Sequence, residues 1–180
     1  MSSSLTRAVA YKMASDFAKT ELLSGVTTIR TVGGLGSFDT RLRDEIEAGA
    51  KIGPRILASN QGISVPGGHM AGSVAIATAT IPDALDHLEK SKEDKVDLIK
   101  LMITGGVMDA KEKGVPGELK MSPEMVRAVC EKAHAYGRQY TSIGNIIHGI
   151  SHSPQEIKQA VECNKPPSAW ANCKQTYNYD

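Results

Sequence analysis

The residue of this sequence best suited to chemistry is a lysine inside an apolar stretch. Lys100 is the only charged residue between Leu98 and Ile103, so a strand over this stretch would bury its amine. Burial disfavours the ammonium form, and a neutral amine can add to carbon dioxide to give a carbamate or to a carbonyl to give a Schiff base. In a second, structural interpretation Lys100 lies on an edge strand or pairs with a carboxylate such as Asp97.

Two glycine-containing segments could place backbone and side-chain groups near that lysine. Thr104, Gly105 and Gly106 directly follow the apolar stretch, where barrel enzymes carry their substrate loops and where glycine lets backbone N–H groups approach a ligand. His69 ends a Gly-Gly-His sequence in a long loop predicted over 61–73 and could contact a substrate or a metal. The alternatives are an ordinary strand-ending turn and a solvated histidine.

Other familiar catalytic motifs are missing from the sequence. Asp39 stands where the last glycine of a GxGxxG loop would be, and there is no GxxxxGK[ST], HExxH or GxSxG. Dinucleotide, P-loop, zinc-protease and esterase interpretations are therefore not supported. His87 and His134 fall within helical patterns, at the surface or between helices, and receive no role.

Composition favours one globular domain that acts on small molecules. The 180 residues carry a net charge of +1 with both signs interspersed, which predicts neither a nucleic-acid partner nor a membrane partner. No apolar run approaches the roughly 20 residues that span a bilayer, and the first residues lack the pattern of a signal peptide. The three cysteines have no CxxC spacing, so we expect a reducing, cytoplasmic location.

The elements that would position these residues alternate between helix and strand. Apolar spacing predicts helices over 5–23, through Leu42 to Gly49, from Pro82 onward and from Ser122 to Gly137, and the first of these has its apolar face at Val9, Met13, Phe17, Ala18 and Leu22. β-Branched or apolar runs predict strands over 26–32, 55–59 and 96–103. This alternation predicts an α/β fold with parallel strands, either closed as a barrel or laid out as an open sheet.

The pattern fades after Arg138. Residues 164–180 show neither a helical nor a strand period, although divergence under selection for folding should preserve apolar periodicity. We therefore expect two parts, a patterned region over 1–138 and a divergent, loosely ordered tail over 139–180. A frameshift, a splicing change or a premature join would explain such a tail.

Four ordered segments closely resemble the amidohydrolase superfamily, in particular its imidazolonepropionase-related and prolidase-like members. They are LSGVTTIR at 23–30, GPRILA at 53–58, GGH at 67–69 and IKLMITGGV at 99–107. Several motifs in matching order are more specific than any one of them. The resemblance covers about residues 5–138.

The resemblance implies a (β/α)8 TIM-type barrel with metals at the carboxyl ends of its strands. This chain would hold about strands 2 to 5 of the barrel, without the β-sandwich domain. By resemblance, Lys100 matches the fourth-strand lysine that becomes carboxylated and bridges one or two divalent ions, zinc foremost. His69, Thr104, Gly105 and Gly106 match positions that face the substrate.

The chain also departs from the pattern of the family. The family's His-x-His strand should precede the opening helix, and Ile143 stands where a fifth-strand histidine is expected, with His148 a displaced substitute. The sixth-strand histidine and the eighth-strand aspartate have no counterpart. Two hypotheses follow: a fragment of a metal-dependent hydrolase of C–N bonds in amides, cyclic amides or dipeptides, or a catalytically inactive, partner-binding remnant. A homo-oligomer or a complementing chain would complete the barrel.

Overall fold

The computed structural model describes residues 3–106 and 119–137, together with the backbone of a short strand at 139–141. Four helices lie in this part: α1 (Ser4–Leu23), α2 (Phe38–Glu47), α3 (Ile81–Glu93) and α4 (Pro123–Ala135). All four fall where apolar spacing predicts a helix. No described helix has the length and apolar character needed to cross a membrane.

The predicted helix starts near Pro82 and at Ser122 are confirmed by α3 and α4. Thr80 and Asp83 form a reciprocal capping box at the start of α3, with Pro82 in its first turn. The Ser122 hydroxyl accepts a hydrogen bond from Met125 N at 3.2 Å, and Pro123 opens α4. Each cap satisfies a backbone donor that has no partner inside the helix.

Six short strands form three parallel pairs in the described backbone. They are β1 (Thr28–Arg30) with β2 (Arg55–Leu57), β3 (Gly62–Ser64) with β4 (Ala75–Ala77), and β5 (Leu98–Lys100) with β6 (Gln139–Thr141). Further backbone contacts connect the pairs: Asp97 N donates to Ala58 O at 2.8 Å, and Met102 N donates to Ile63 O at 2.8 Å. The β2–β3 segment thus lies between β1 and β5, a row of parallel neighbours. A closed barrel remains a prediction.

The prediction of one long loop over 61–73 is wrong in part. Residues Gly62–Ser64 form β3, which pairs in parallel with β4 after the connecting loop over 65–74. The pairing is extended by Gly62 N to Val74 O at 3.0 Å and Thr78 N to Ser64 O at 2.9 Å. Three residues are too few to show a strand period, so glycine and proline content alone suggested a loop.

The core has two parts. The larger one packs α3 and α4 against β3 and β5, with Ile63, Leu88, Ile99, Leu101 and Val129 near its centre. The smaller one packs α1 and α2 against β1 and β2 through Tyr11, Ala18, Leu42 and Ile56.

The predicted buried face of α1 is wrong for three of its residues. Val9, Met13 and Phe17 are exposed, whereas Tyr11 and Ala18 are buried. Tyr11 takes the buried side because its ring packs edge-on against Phe38 and its hydroxyl donates to Glu45 Oε2 at 2.8 Å. Periodicity could not choose between two apolar faces of one helix.

Candidate active site at the carboxyl end of β5

Lys100 ends β5 with its amine buried and unpartnered. The residue is 2% exposed, and Nζ has no hydrogen-bond partner among the residues that the structure describes. Burial lowers the pKa of Lys100 to about 8. Near neutral pH the side chain therefore holds a larger neutral fraction than an ordinary lysine, whose pKa is about 10.4.

The pairing of Lys100 with Asp97, left open by the sequence, is not formed. Asp97 Oδ2 instead accepts hydrogen bonds from Arg43 Nη1 and from Ala58 N, both at 2.8 Å, at the start of β5. The edge-strand alternative is not found either, because β5 pairs with β6 and its extension contacts β3. Neither of these two arrangements is found in the described part of the chain.

The side chain of Lys100 lies on the face of its strand that is turned away from the helices. Ile99, Leu101 and Ile103 belong to the core beneath α3 and α4. Because side chains alternate along a strand, Leu98, Lys100 and Met102 share the opposite face. In a barrel this face would point towards the axis.

Two glycines make room for this face. A Cβ added at Gly62 would lie 3.1 Å from Lys100 Cγ and 3.3 Å from Met102 Cε, and one added at Gly33 would lie 3.2 Å from Met102 Cε. Side chains at either position would compete with Lys100 and Met102 for the same space. The stem of Lys100 is thus held against backbone and a thioether methyl, an apolar setting that favours its neutral form.

The other predicted site residues lie at the same end of the strands or outside the described residues. Thr104, Gly105 and Gly106 are buried and begin four residues after Lys100, the last residue of β5, and Thr104 forms a β-bridge with Leu119. His69 is half-buried in the loop after β3, where its backbone oxygen accepts a hydrogen bond from the Ser64 hydroxyl at 3.0 Å. His69 is not hydrogen-bonded to the Lys100 amine. His148 lies outside the described residues.

A second buried polar atom without a partner was missed by the sequence reasoning. Asp39 Oδ2, in the first turn of α2, has no hydrogen-bond partner. Burial raises the pKa of Asp39, although hydrogen bonds from the Thr31 side chain and the Asn60 backbone act in the opposite direction. A Cβ at Gly34 would lie 2.6 Å from Asp39 Oδ1. The sequence signal was weak, since an acidic residue in a first helical turn is usually solvated.

A cluster of three His, Cys, Asp or Glu side chains is not found in the part of the chain that the structure describes. Lys100 fits the role of a carbamate ligand because its amine is buried, unpartnered and turned away from the helices. Further ligands of a metal pair are not found beside Lys100 among the described residues.

Comparisons with known proteins give no match to any protein-family model and no match among curated sequences. Solved structures do match. A Bifidobacterium longum protein described as a prolidase is 37% identical, with a TM-score of 0.61, over 81% of this chain and 33% of its own. A Xaa-Pro dipeptidase with methionine bound in its active site is 27% identical, with a TM-score of 0.69, over 87% and 40%. The A. niger ochratoxinase shares the fold at 17% identity and a TM-score of 0.69.

These likenesses define the class as a hydrolase-related protein with a mixed α/β fold. The chain is related to the amidohydrolase superfamily and corresponds to part of such a protein. It spans a third to two fifths of the length of the prolidase-type structures.

Proposed function

We propose that this chain contributes part of the active centre of a metal-dependent hydrolase that cleaves C–N bonds. The observation that carries the proposal is the buried, unpartnered amine of Lys100 at the carboxyl end of β5. Similarity to prolidase and dipeptidase structures supports the same assignment. An unpaired buried lysine is costly, and perturbed amines of this kind concentrate at functional sites.

The role proposed for Lys100 is that of a carbamate. Its neutral amine attacks the carbon of carbon dioxide, an N–C bond forms, and the nitrogen releases one proton to solvent. One C–O π bond of carbon dioxide opens as the N–C bond forms, and the carbamate product carries one negative charge shared by its two oxygens. A divalent metal held there, zinc foremost, would acidify a bound water and polarise a scissile carbonyl.

The proposed substrate is small and contains an amide bond. Prolidase-type structures point to a Xaa-Pro dipeptide, and amides or cyclic amides remain within the same reaction class. Thr104, Gly105 and Gly106 follow Lys100 after three intervening apolar residues, and their backbone groups are proposed to contact a substrate near the amine. His69 is proposed to face the same substrate from the loop after β3.

A second candidate function is a partner-binding domain that keeps the fold without catalysis. It is favoured by the absence of a three-ligand cluster from the described residues. In this alternative Lys100 is a remnant that no longer becomes carboxylated. Whether Lys100 becomes carboxylated therefore distinguishes the hydrolase function from the partner-binding function.

The test is carbon-13 NMR of the full chain in 13C-labelled bicarbonate, with and without zinc. We expect a carbamate resonance that disappears in Lys100→Met. The matched control is Lys90→Met, which removes an exposed lysine on α3 and should retain the signal. Absence of any Lys100-dependent carbamate under both conditions would reject the hydrolase proposal in favour of the partner-binding alternative.

A further inference from the structure

Helix α1 is apolar on two opposite faces. Tyr11 and Ala18 bury one face against α2 and β2. On the other, four large apolar side chains follow at four-residue steps and are all at least half exposed: Leu5 73%, Val9 53%, Met13 50% and Phe17 62%. At about 100° per residue, the middle of this row lies about 180° from Tyr11. We call these four residues the α1 stripe.

The α1 stripe differs from ordinary exposed apolar residues. Single exposed leucines or valines are common on protein surfaces, whereas a contiguous row marks a contact surface. The stripe runs for three turns, about 18 Å. A helix that is apolar on both sides is normally covered on both sides, and nothing in the described part of the chain covers this one.

The charges of α1 indicate what covers the stripe. Arg7 and Lys12 lie in its amino-terminal half, and Asp16 and Glu21 lie with Lys19 in its carboxyl-terminal half. The first turn has no acidic residue and the last turn has no basic one, which is the reverse of what the helix dipole favours in an isolated helix. A second α1 running in the opposite direction would set the basic half against the acidic half and oppose the two dipoles.

We infer that the α1 stripe is a self-association surface on which a second copy of this chain packs its own α1 in antiparallel orientation. A register centred on Met13 sets Met13 against the partner's Met13 and Val9 against the partner's Phe17. The same register brings Lys12 near the partner's Asp16. This surface is independent of the proposed hydrolase function, because it lies on the far side of α1 from the core.

The charged pair beside the stripe is free to exchange partners. Lys12 Nζ and Asp16 Oδ2 lie 2.6 Å apart within one helix, with side chains 76% and 62% exposed. In the dimer, each Lys12 would pair with Asp16 of the other copy in place of Asp16 of its own helix. Because both side chains are exposed, this change of partner disrupts no buried contact. The four residues of the stripe are far fewer than the roughly 20–30 residues that each partner contributes to a standard interface, so we expect a weak dimer that depends on concentration.

The first test is sedimentation equilibrium of the full chain over a concentration series, using the charge variants Lys12→Glu and Asp16→Lys. We expect the unchanged chain to dimerise and each variant alone to dimerise about tenfold more weakly, because like charges then face each other. An equimolar mixture should recover dimer formation, since each variant supplies the charges that the other lacks. A chain that stays monomeric throughout, or a mixture no better than its components, overturns the inference.

The second test fixes the orientation by disulfide formation. Val9→Cys mixed with Phe17→Cys should give a mixed disulfide several times faster than either variant alone, because only the antiparallel register brings these positions together. Lys19→Cys, an exposed position on the same helix outside the stripe, is the matched control, and the unchanged chain gives the background from native cysteines. Equal cross-linking of the mixture and of Lys19→Cys would overturn the antiparallel register. Circular dichroism confirms that each variant is folded.

Discussion

At the scale of single residues, Lys100 carries an energetic cost that the fold must offset elsewhere. Its amine loses hydration and gains no hydrogen bond, so the charged form is destabilised in the folded protein. The unfolded chain, in which the lysine is solvated, binds a proton up to about pH 10.4. Between this value and the lowered pKa of about 8, the unfolded state therefore binds more protons than the folded state.

This difference predicts how stability depends on pH. For the unchanged chain, the free energy of unfolding should rise from pH 8 to about 10.4, because the cost of the buried ammonium disappears once both states are neutral. Below pH 8, Lys100→Met should be more stable than the unchanged chain by about 3 kcal/mol. Urea unfolding in buffer free of metal and carbon dioxide measures both. Parallel pH profiles for the unchanged chain and Lys100→Met would contradict the prediction.

Asp39 and Gly34 give a second residue-scale prediction. Gly34→Ala places a methyl group within 3 Å of the Asp39 carboxylate, so we expect it to cost about 1–3 kcal/mol of stability. In an Asp39→Ala background, the same change should cost much less, because the obstructing group is gone. A double-mutant cycle from chemical unfolding measures the coupling. Additive effects would show that the close contact does not hold in solution.

The sequence predicted one of these two buried polar residues and not the other, for a physical reason. Lys100 is surrounded by apolar residues in its own strand, so its burial can be predicted from local sequence. The carboxylate of Asp39 lies close to Gly34 and receives a backbone hydrogen bond from Asn60, which follows β2. The burial of its carboxylate depends on tertiary packing, which cannot be predicted from the residues next to Asp39 in the sequence.

At the scale of elements, Arg43 ties α2 to the start of β5. Arg43 is 8% exposed, and its guanidinium donates to Asp97 Oδ2 at 2.8 Å and to Lys95 O at 2.9 Å. Its other carboxylate partner, Asp44, is 63% exposed in its side chain. Asp97 is the less exposed of the two carboxylates, with a side chain that is 32% exposed, so its loss is replaced by water less readily than the loss of Asp44.

We therefore predict different costs for two isosteric changes. Asp97→Asn should destabilise the chain by about 2–3 kcal/mol, while Asp44→Asn should cost less than about 1 kcal/mol. Thermal or chemical unfolding of the two variants at pH 7 provides the comparison. Similar losses in both variants would contradict the assignment of Asp97 as the main partner.

Helices were predictable from the sequence and strand pairing was not. Capping residues such as Thr80 and Ser122 act within a few positions of the helix that they start, so the start of a helix can be predicted from neighbouring residues in the sequence. The pairing of β3 with β4 depends on a loop that returns the chain beside itself, and the three-residue strands are too short to show a period. The choice between the two faces of α1 likewise depended on Tyr11 contacting α2.

At the scale of the whole molecule, the described strands form a row of parallel neighbours with Lys100 on the face away from the helices. This part corresponds to a third to two fifths of the related prolidase-type structures. The proposed hydrolase chemistry therefore needs metal ligands besides Lys100. Self-association through the α1 stripe would give the chain a partner through the face of α1 that lies opposite the core.

The most direct test of this account is metal analysis of the purified chain beside a hydrolase assay on Xaa-Pro dipeptides and simple amides. We predict less than about one equivalent of zinc or manganese and no turnover, because one lysine carbamate supplies too few ligands to hold a metal pair. Bicarbonate should increase zinc retention in the unchanged chain and not in Lys100→Met. Two tightly bound metals per chain together with hydrolysis would contradict the prediction and show that this chain carries a complete site.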